Sequence, residues 1–297
     1  MLLTDRIYMF FVYLFLFIAL ILVIYPMAYI VSASISDPQA VNSGEMWLFP
    51  KGITWIGYEA IFENQQIWRG YWNTIVYTVL GTLINLAVTL PVAYALSRKD
   101  FYGRTFLTNF MLVTMFVSGG LIPTYLLMKN LGFLDTIWAM IIPGAASVYN
   151  IIVTRTFFQS SIPRELEEAA IIDGASDITL FFKIILPLST PIIAVMALYY
   201  GVGHWNGFFN ALIYLSDRSK YPLQMVLREI LVLNDLSSTG TPETMTTSMA
   251  ELAYSRQQLS EVIKYGVMIV SSAPVIMVYP FLQKYFVKGV MIGSLKG

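Results

Sequence analysis

Residues Glu168 to Pro187 read EAAIIDGASDITLFFKIILP, a short polar and charged interlude inside a very apolar chain. Just upstream, Ser160 and Ser161 offer N-cap oxygens, and Pro163 suits a first helical turn. Glu165, Glu167 and Glu168 stand where a helix N-terminus favours negative charge. Leu166, Ala169, Ala170 and Ile171 supply a small apolar surface. Asp173-Gly174 then ends the helix, because glycine accepts the left-handed conformation that a tight turn needs. Ser176 or Asp177 can cap a second helix over Ile178 to Leu186, and Pro187 marks the entry to the next apolar run. The stretch predicts two short helices joined at a glycine, a rigid elbow.

Composition places that elbow in a membrane protein. The chain has 297 residues, 57% hydrophobic and only 12% charged, where a soluble domain carries about a quarter charged residues. Its mean hydropathy is +0.66. Zero net charge and the lack of any basic block argue against a nucleic-acid partner. There is no cysteine, hence no disulfide and no Cys-based zinc site, and the redox compartment is not legible from this residue type.

The apolar runs predict six spans. Ile7 to Val31 is long enough to cross a bilayer and too long for the core of a signal peptide, so it reads as a retained first span. Ser36 to Trp72 reads as a polar loop with Trp47, Trp55, Trp68 and Trp72 at a membrane interface. The second span, about Asn73 to Leu96, carries Thr74, Thr78, Thr82, Asn85 and Thr89 on one helical face. Helix packing explains that stripe better than a hydrated path, since Gly81 and Ala87 also suit close contact, but both readings stay open. Thr105 to Met128 is the third span, broken at Gly119-Gly120 and Pro123, and Thr136 to Phe158 the fourth, with Pro143-Gly144 inside it. The fifth is about Leu188 to Trp205. The last, about Val262 to Phe286, is interrupted at Ser271 to Pro274 and at Pro280.

Basic residues set the orientation. With the N-terminus inside, Arg6, Arg98, Lys99, Arg104, Arg155, Arg164, Lys183, Lys284, Lys288 and Lys296 face the cytoplasm, several of them in short connections. The remaining basic residues are spread over longer outer loops. The elbow then lies on the cytoplasmic side.

The spaced set Glu168-Ala169-Ala170, Gly174 and Ile184-x-Leu186-Pro187 resembles the EAA loop of binding-protein-dependent ABC importer permeases at every defining position. A second pattern, His204-Trp205-Asn206 at the end of the fifth span and Tyr221-Pro222-Leu223-Gln224 after it, resembles the carbohydrate branch of that family, to which maltose and other oligosaccharide permeases belong. The resemblance implies an all-α fold: a type I ABC importer permease-like bundle of six transmembrane helices with a cytoplasmic coupling helix. It implies one permease domain over residues 1–297, made of a first span and outer loop (1–72), a five-span core (73–286) and a cytoplasmic tail (287–297). The coupling residues would be Glu168, Ala169, Ala170, Asp173, Gly174, Leu186 and Pro187.

The resemblance also implies partners: a homologous second permease subunit, two copies of an ABC ATPase and an extracellular solute-binding protein. The setting would be a bacterial cytoplasmic membrane with both termini inside. ATP and Mg would sit on the ATPase, with no cofactor, metal or catalytic residue on this chain. This agrees with the absence of G-x-x-x-x-G-K-[ST] from the sequence. In the family, the loop after the fifth span can reach into the docked binding protein, and the over-long Asn206 to Glu261 fits that role.

Sugar recognition needs aromatic faces for pyranose C–H groups and amides for hydroxyls. Tyr199, Tyr200, Trp205, Asn206, Asn210 and Asn85 are the candidates, against the plainer reading of an interfacial aromatic belt. His204, the one histidine, has no second ligand nearby in sequence and reads as a hydrogen-bonder at the membrane boundary. The alternatives are a permease for a non-sugar solute and an ion-coupled secondary transporter. The proposed span cores hold no Asp, Glu, Lys or Arg, which counts against the second.

Overall fold

The computed structural model describes residues 3–238, 262–280 and 283, and every regular element among them is helical. The chain divides into two compact units, Met1–Trp68 with Val226–Pro274, and Arg69–Met225 with Val275–Gly297.

The first unit opens with α1, Leu3–Ser34, whose apolar side chains from Ile7 to Val31 are exposed around the whole helix. A helix apolar on every face suits lipid, and its mean hydropathy reaches 3.0. Beyond it, Ser32 Oγ donates to the Leu48 carbonyl at 2.6 Å, folding the following loop back onto the helix end. α2, Pro38–Asn42, is capped by Asp37, whose carboxylate accepts from the Gln39 N–H at 2.8 Å. α3, Ile56–Glu63, lies close to α15, Val262–Pro280, through two glycines. A Cβ at Gly57 would stand 2.8 Å from Val262, and one at Gly266 would stand 2.7 Å from Ile61. Small residues of this kind let helices approach where hydrophobic exclusion from water gives no drive.

The second unit holds most of α4, Gln65–Ser97, an unbroken helix of 33 residues. α5, Arg104–Phe116, and α6, Leu121–Asn130, meet at 113° across Gly119-Gly120. α7, Trp138–Ile141, runs through a 3-10 turn at Ile142–Gly144 and meets α8, Val148–Ser161, at 53°. Then come α9, Arg164–Ile172, α10, Asp177–Leu180, a π turn at Phe181–Ile185, and α11, Leu186–Leu188. The α10–α11 limb meets α12, Thr190–Trp205, at 80°. α13, Phe209–Tyr214, follows, and α14, Leu223–Ser238, begins in this unit but belongs from Val226 onward to the first. Three described helices (α1, α4 and α15) are long and apolar enough to span a membrane, and six spans result if each bent pair counts as one.

Several expectations change. Ser36 to Trp72 is no open loop: it contains α2 and α3, and Trp68 and Trp72 already sit on α4. Ser160 and Ser161 complete α8 rather than capping α9, whose N-cap is Pro163 with no side-chain bond. Pro187 lies within the helical limb, and the sharp turn comes at Ser189 instead. α15 runs helical through Ser271 to Pro274 as far as Pro280, where the sequence predicted an interruption. Of the long segment after the fifth span, α13 and the described part of α14 lie in order, while 239–261 and the tail beyond residue 283 fall outside the described residues.

The polar stripe of α4 packs against protein. Thr74 Oγ1 accepts from the Leu223 N–H at 2.8 Å, and Asn85 and Thr89 are fully buried. Thr78 sets its methyl and Thr82 its hydroxyl beside Gly201, and both hydroxyls are buried without a partner among the described residues.

Candidate functional site

The elbow closes as the sequence predicts. The Gly174 N–H donates to the Ile171 carbonyl at 3.0 Å and the Ala175 N–H to the Ala170 carbonyl at 2.9 Å. This pair of reversed bonds is the Schellman termination, with Gly174 at φ +79° in the position that requires a left-handed residue. Ser176, not Asp177, caps the second limb by accepting from the Thr179 N–H at 3.3 Å. Ala170 is buried in a core with Leu90, Tyr94, Phe158, Leu180, Phe181 and Ile185, and Ala175 and Leu186 pack on that core. Glu168, Ala169, Asp173, Gly174 and Pro187 are exposed. So are the large apolar side chains at the knuckle, with Ile172 at 85% and Ile178 at 72%. The glycine turn therefore anchors one face of α9 in the core and offers the other face outward.

The π turn has a local cause. Proline lacks an N–H and its ring crowds the carbonyl four residues back, here Lys183. One step earlier the Leu186 N–H already reaches five residues back to the Phe181 carbonyl, so the widened turn makes room for Pro187.

Beside the elbow, the short turn after α4 is held by Arg98. Its Nε and Nη2 donate to the two carboxylate oxygens of Asp100 at 3.0 and 2.6 Å, and its Nη1 donates to the Tyr94 hydroxyl at 3.0 Å. Nη1 also stands 3.5 Å from Asp177 Oδ1, at the start of α10. The Asp100 fork holds the guanidinium pKa above its ordinary value, and the same bonds hold the Asp100 carboxyl below its own. The last carbonyls of α4 are taken by α8: Arg155 Nε donates to Leu96 at 3.0 Å and Gln159 Nε2 to Ser97 at 3.3 Å.

Thirteen residues back along α4 lies a second polar centre. Asn85 Nδ2 donates to the Gly144 and Ala145 carbonyls at 2.5 and 3.0 Å. These are the groups freed by the break in the fourth span, and a buried break is tolerated only when something satisfies them. With the amide nitrogen so used, its oxygen faces His204, and His204 Nε2 donates to it at 2.7 Å. His204 thus acts as the hydrogen-bonder expected of it. Thr89 and Tyr200 pair through their hydroxyls at 2.7 Å. A cavity of about 230 Å³ opens beside this network, lined by Tyr77, Met140, Gly144, Tyr199, Tyr200, Gly203, His204, Gly207 and Asn210.

Of the sugar-path candidates, the structure brings Tyr199, Tyr200 and Asn210 to that cavity, with Asn85 beneath its wall. It does not bring Trp205 or Asn206. Trp205 is 7% exposed and packs edge-on to Tyr71 at 5.7 Å, while exposed Asn206 ends α12 through its own N–H to the Val202 carbonyl. A helix carries successive residues to different faces, which separates 205 and 206 from the 199–203 wall.

The segment after α13 is tied down firmly. Asp135, at φ +58°, accepts from the Ser216 and Asp217 N–H groups at 3.2 and 3.1 Å and pairs with Lys220 at 3.0 Å. Asn73 Nδ2 donates to the Ser219 and Tyr221 carbonyls, and the Tyr77 hydroxyl donates to that of Lys220.

Arg98, Gly81, His204 and Asp135 were not marked by the sequence as site residues. For Gly81 a faint signal existed, as a small residue on the polar face of α4. For Asp135 with Lys220 and for Arg98 with Asp177 none did, because those partners lie far along the chain.

Long apolar helices and bent apolar pairs, one of whose breaks is satisfied by Asn85, together with a glycine-capped helical knuckle, define a helical membrane protein. Residues 67–292 match the family described as the binding-protein-dependent transport system inner membrane component, and the chain belongs to that family. Among its relatives, Protein LplC of Bacillus subtilis is 43% identical over 274 residues, covering 92% of this chain and 90% of the relative. The polygalacturonan/rhamnogalacturonan transport system permease protein YtcP of the same organism is 38% identical over 293 residues, covering 99% of each. The fold is also similar to a chain in the crystal structure of a bacterial ABC transporter involved in the import of the acidic polysaccharide alginate. There the TM-score is 0.85 and the identity 34%, over 96% of this chain and 99% of that one. This is a type I ABC importer permease fold.

Proposed function

We propose that this permease imports a carbohydrate, an oligosaccharide or polysaccharide fragment delivered by an extracellular solute-binding protein, by alternating access driven by a separate ATPase. The observation that carries the reading is the conjunction, in one chain, of the exposed EAA knuckle and relatives named for pectic polysaccharide and alginate transport. On this reading the N-terminus and the elbow face the cytoplasm. Glu168, Ala169, Asp173, Gly174 and the exposed Ile172 and Ile178 present a surface to the ATPase, while Ala170 and Leu186 hold that surface to the core. Pro187 and the π turn pass the motion toward α12. ATP and Mg belong to the ATPase, two copies of which serve this chain and a homologous partner permease.

The cavity beside Tyr199, Tyr200 and Asn210 is smaller than the roughly 300–1,000 Å³ usual for a small-molecule site, as suits one half of a shared pathway. Two tyrosine rings and an amide match the apolar face and hydroxyls of a sugar. In this reading they contact passing solute while Asn85 and His204 hold the wall behind them.

The test is uptake by the reconstituted complex of both permeases, ATPase and binding protein, challenged with labelled saccharides, amino acids, peptides and cations. ATP-dependent accumulation of a saccharide is expected. Accumulation of another class, or uptake that persists without ATP and collapses with an ion gradient, refutes the reading. Gly174→Asp checks the elbow itself. Its Cβ meets nothing within 4 Å, so the chain should still insert and fold, with strain of about 1–2 kcal/mol. Transport driven by ATP should nevertheless be lost, because charge and bulk now stand on the docking face.

A further inference from the structure

Arg98 occupies the junction between the end of α4 and the second limb of the elbow. Its guanidinium is only 15% exposed, yet both carboxylates it meets are open to solvent, Asp100 at 67% and Asp177 at 82%. The fork is committed to Asp100 in its own turn, and Nη1 to Tyr94, over whose ring the guanidinium also stands at 5.9 Å. Tyr94 in turn packs on Phe181 of the π turn at 5.2 Å and on Phe158 of α8 at 6.1 Å. The guanidinium is therefore fixed to the end of α4, and the 3.5 Å contact to Asp177 is its one longer, open bond. Asp177 is the first residue of α10, immediately after the glycine turn and its Ser176 cap.

A pinned cation meeting a loosely held carboxylate is suited to following a small displacement, since the exposed partner can shift while the cation stays. α4 is also continuous from this point to Asn85, about 20 Å along its axis, where it holds the break in the fourth span and His204 in the fifth. One continuous helix, with Pro91 inside it, thus joins the elbow to the polar centre beside the cavity.

We infer that Arg98 is a positioning residue for energy coupling, clamping the second limb of the elbow to α4 through Asp177 so that displacement of the elbow is delivered to the helix that carries Asn85. This rests on the reading of the elbow as the ATPase-docking element. Tyr94 holds the guanidinium in line, and Asp100 keeps it from swinging into solvent.

The experiment uses the whole complex in proteoliposomes and measures solute transported per ATP hydrolysed. It also measures the ratio of binding-protein-stimulated to basal ATPase, for Arg98→Gln, Asp177→Asn and the double variant. Each single change should lower transport per ATP by about threefold, the scale of an exposed ion pair, and the double variant should be no worse than either single one. Because Asp177 is exposed, its variant keeps the test open even where Arg98→Gln assembles poorly. If both variants keep wild-type transport per ATP, or if only Arg98→Gln loses it, the clamp does not exist. A fall in assembly and ATPase together, at constant ratio, likewise overturns it by reducing Arg98 to a structural part. Gly174→Asp run in parallel separates the two readings: coupling lost there but intact in Arg98→Gln and Asp177→Asn sinks the clamp alone, whereas coupling intact in all three sinks the elbow reading itself.

Discussion

Nε2 of His204 stands 2.7 Å from the side-chain oxygen of Asn85, joining the fifth span to the second across 119 positions of sequence. The nitrogen of the same amide holds the carbonyls at the break in the fourth span. One buried side chain thus binds three spans, and it does so with every polar group it has.

Removing it should be costly. Asn85→Leu keeps the branched outline and the number of heavy atoms but strands two carbonyls and an imidazole N–H. A loss of about 2 kcal/mol is expected, since an orphaned buried polar group costs 1–3 kcal/mol and membrane hydrogen bonds sit toward the low end. Thermal or denaturant unfolding of the purified protein in detergent checks this. An unchanged midpoint would mean that the bent span does not depend on Asn85.

Gly81 makes room for the same bond. A Cβ there would overlap the His204 ring, reaching Cε1 at 2.5 Å and Cδ2 at 2.8 Å. Gly81→Ala should destabilise by about 1–3 kcal/mol, the usual range for overpacking. His204→Ala relieves the clash while losing the bond, so the double variant should cost less than the two singles added together. A double-mutant cycle read by unfolding midpoint gives the answer, and strict additivity would refute the contact.

The Asp135 to Lys220 tie should depend on pH at both extremes. Backbone N–H groups, chiefly that of Asp217, and then Lys220 hold the Asp135 carboxyl below the ordinary 3.8. Ser219 does the same for Asp217, and the Asp135 bond raises the Lys220 ammonium above 10.5. The carboxylates' contribution is complete above their ordinary pKa and disappears as pH falls through the lowered folded values. The ammonium's contribution is complete below 10.5 and disappears as pH rises through the raised one. Amide exchange of residues 216–221, corrected for its intrinsic pH dependence, should therefore be flat between about pH 5 and 9 and lose protection outside that window. Asp135→Asn should lower the plateau and flatten the acid limb.

Pocket and packing roles separate on the fifth span. Tyr199→Ala and Asn210→Ala should raise the KM for uptake several-fold with little change in unfolding midpoint, as those side chains line open space. Trp205→Ala should instead unfold more easily, by about 3–5 kcal/mol for a buried large aromatic, with KM unaltered in whatever fraction remains folded. A KM shift in the Trp205 variant, with stability retained, would return that residue to the solute path.

Local chemistry wrote much of this molecule into the chain. The six apolar stretches, the breaks at Gly119-Gly120 and Pro143-Gly144 and the glycine-centred elbow were all legible because each depends on residues within one or two turns of one another. The Schellman turn at Gly174 needs only Ala170 to Ala175, and the polar face of α4 needs only the helical period. Where a nearby signal misled, as with Ser160 and Ser161 for the α9 cap, the preceding helix extends through both serines and leaves Pro163 at the cap.

The partners of those local features came only with the tertiary fold. The sequence placed Asn85 on a polar stripe and favoured packing over a hydrated path without naming what it packs against. The fold supplied those partners, the carbonyls of the broken fourth span and His204. Trp205 and Asn206 stood among six candidates for the solute path, and only the fold shows that the first packs edge-on to Tyr71 while the second ends α12. Arg98 with Asp177 and Asp135 with Lys220 had no signature at all, because their pairing joins elements 79 and 85 positions apart. Periodicity and capping act over a few residues and are written in one segment, whereas a hydrogen bond between distant helices exists only once both have been brought together.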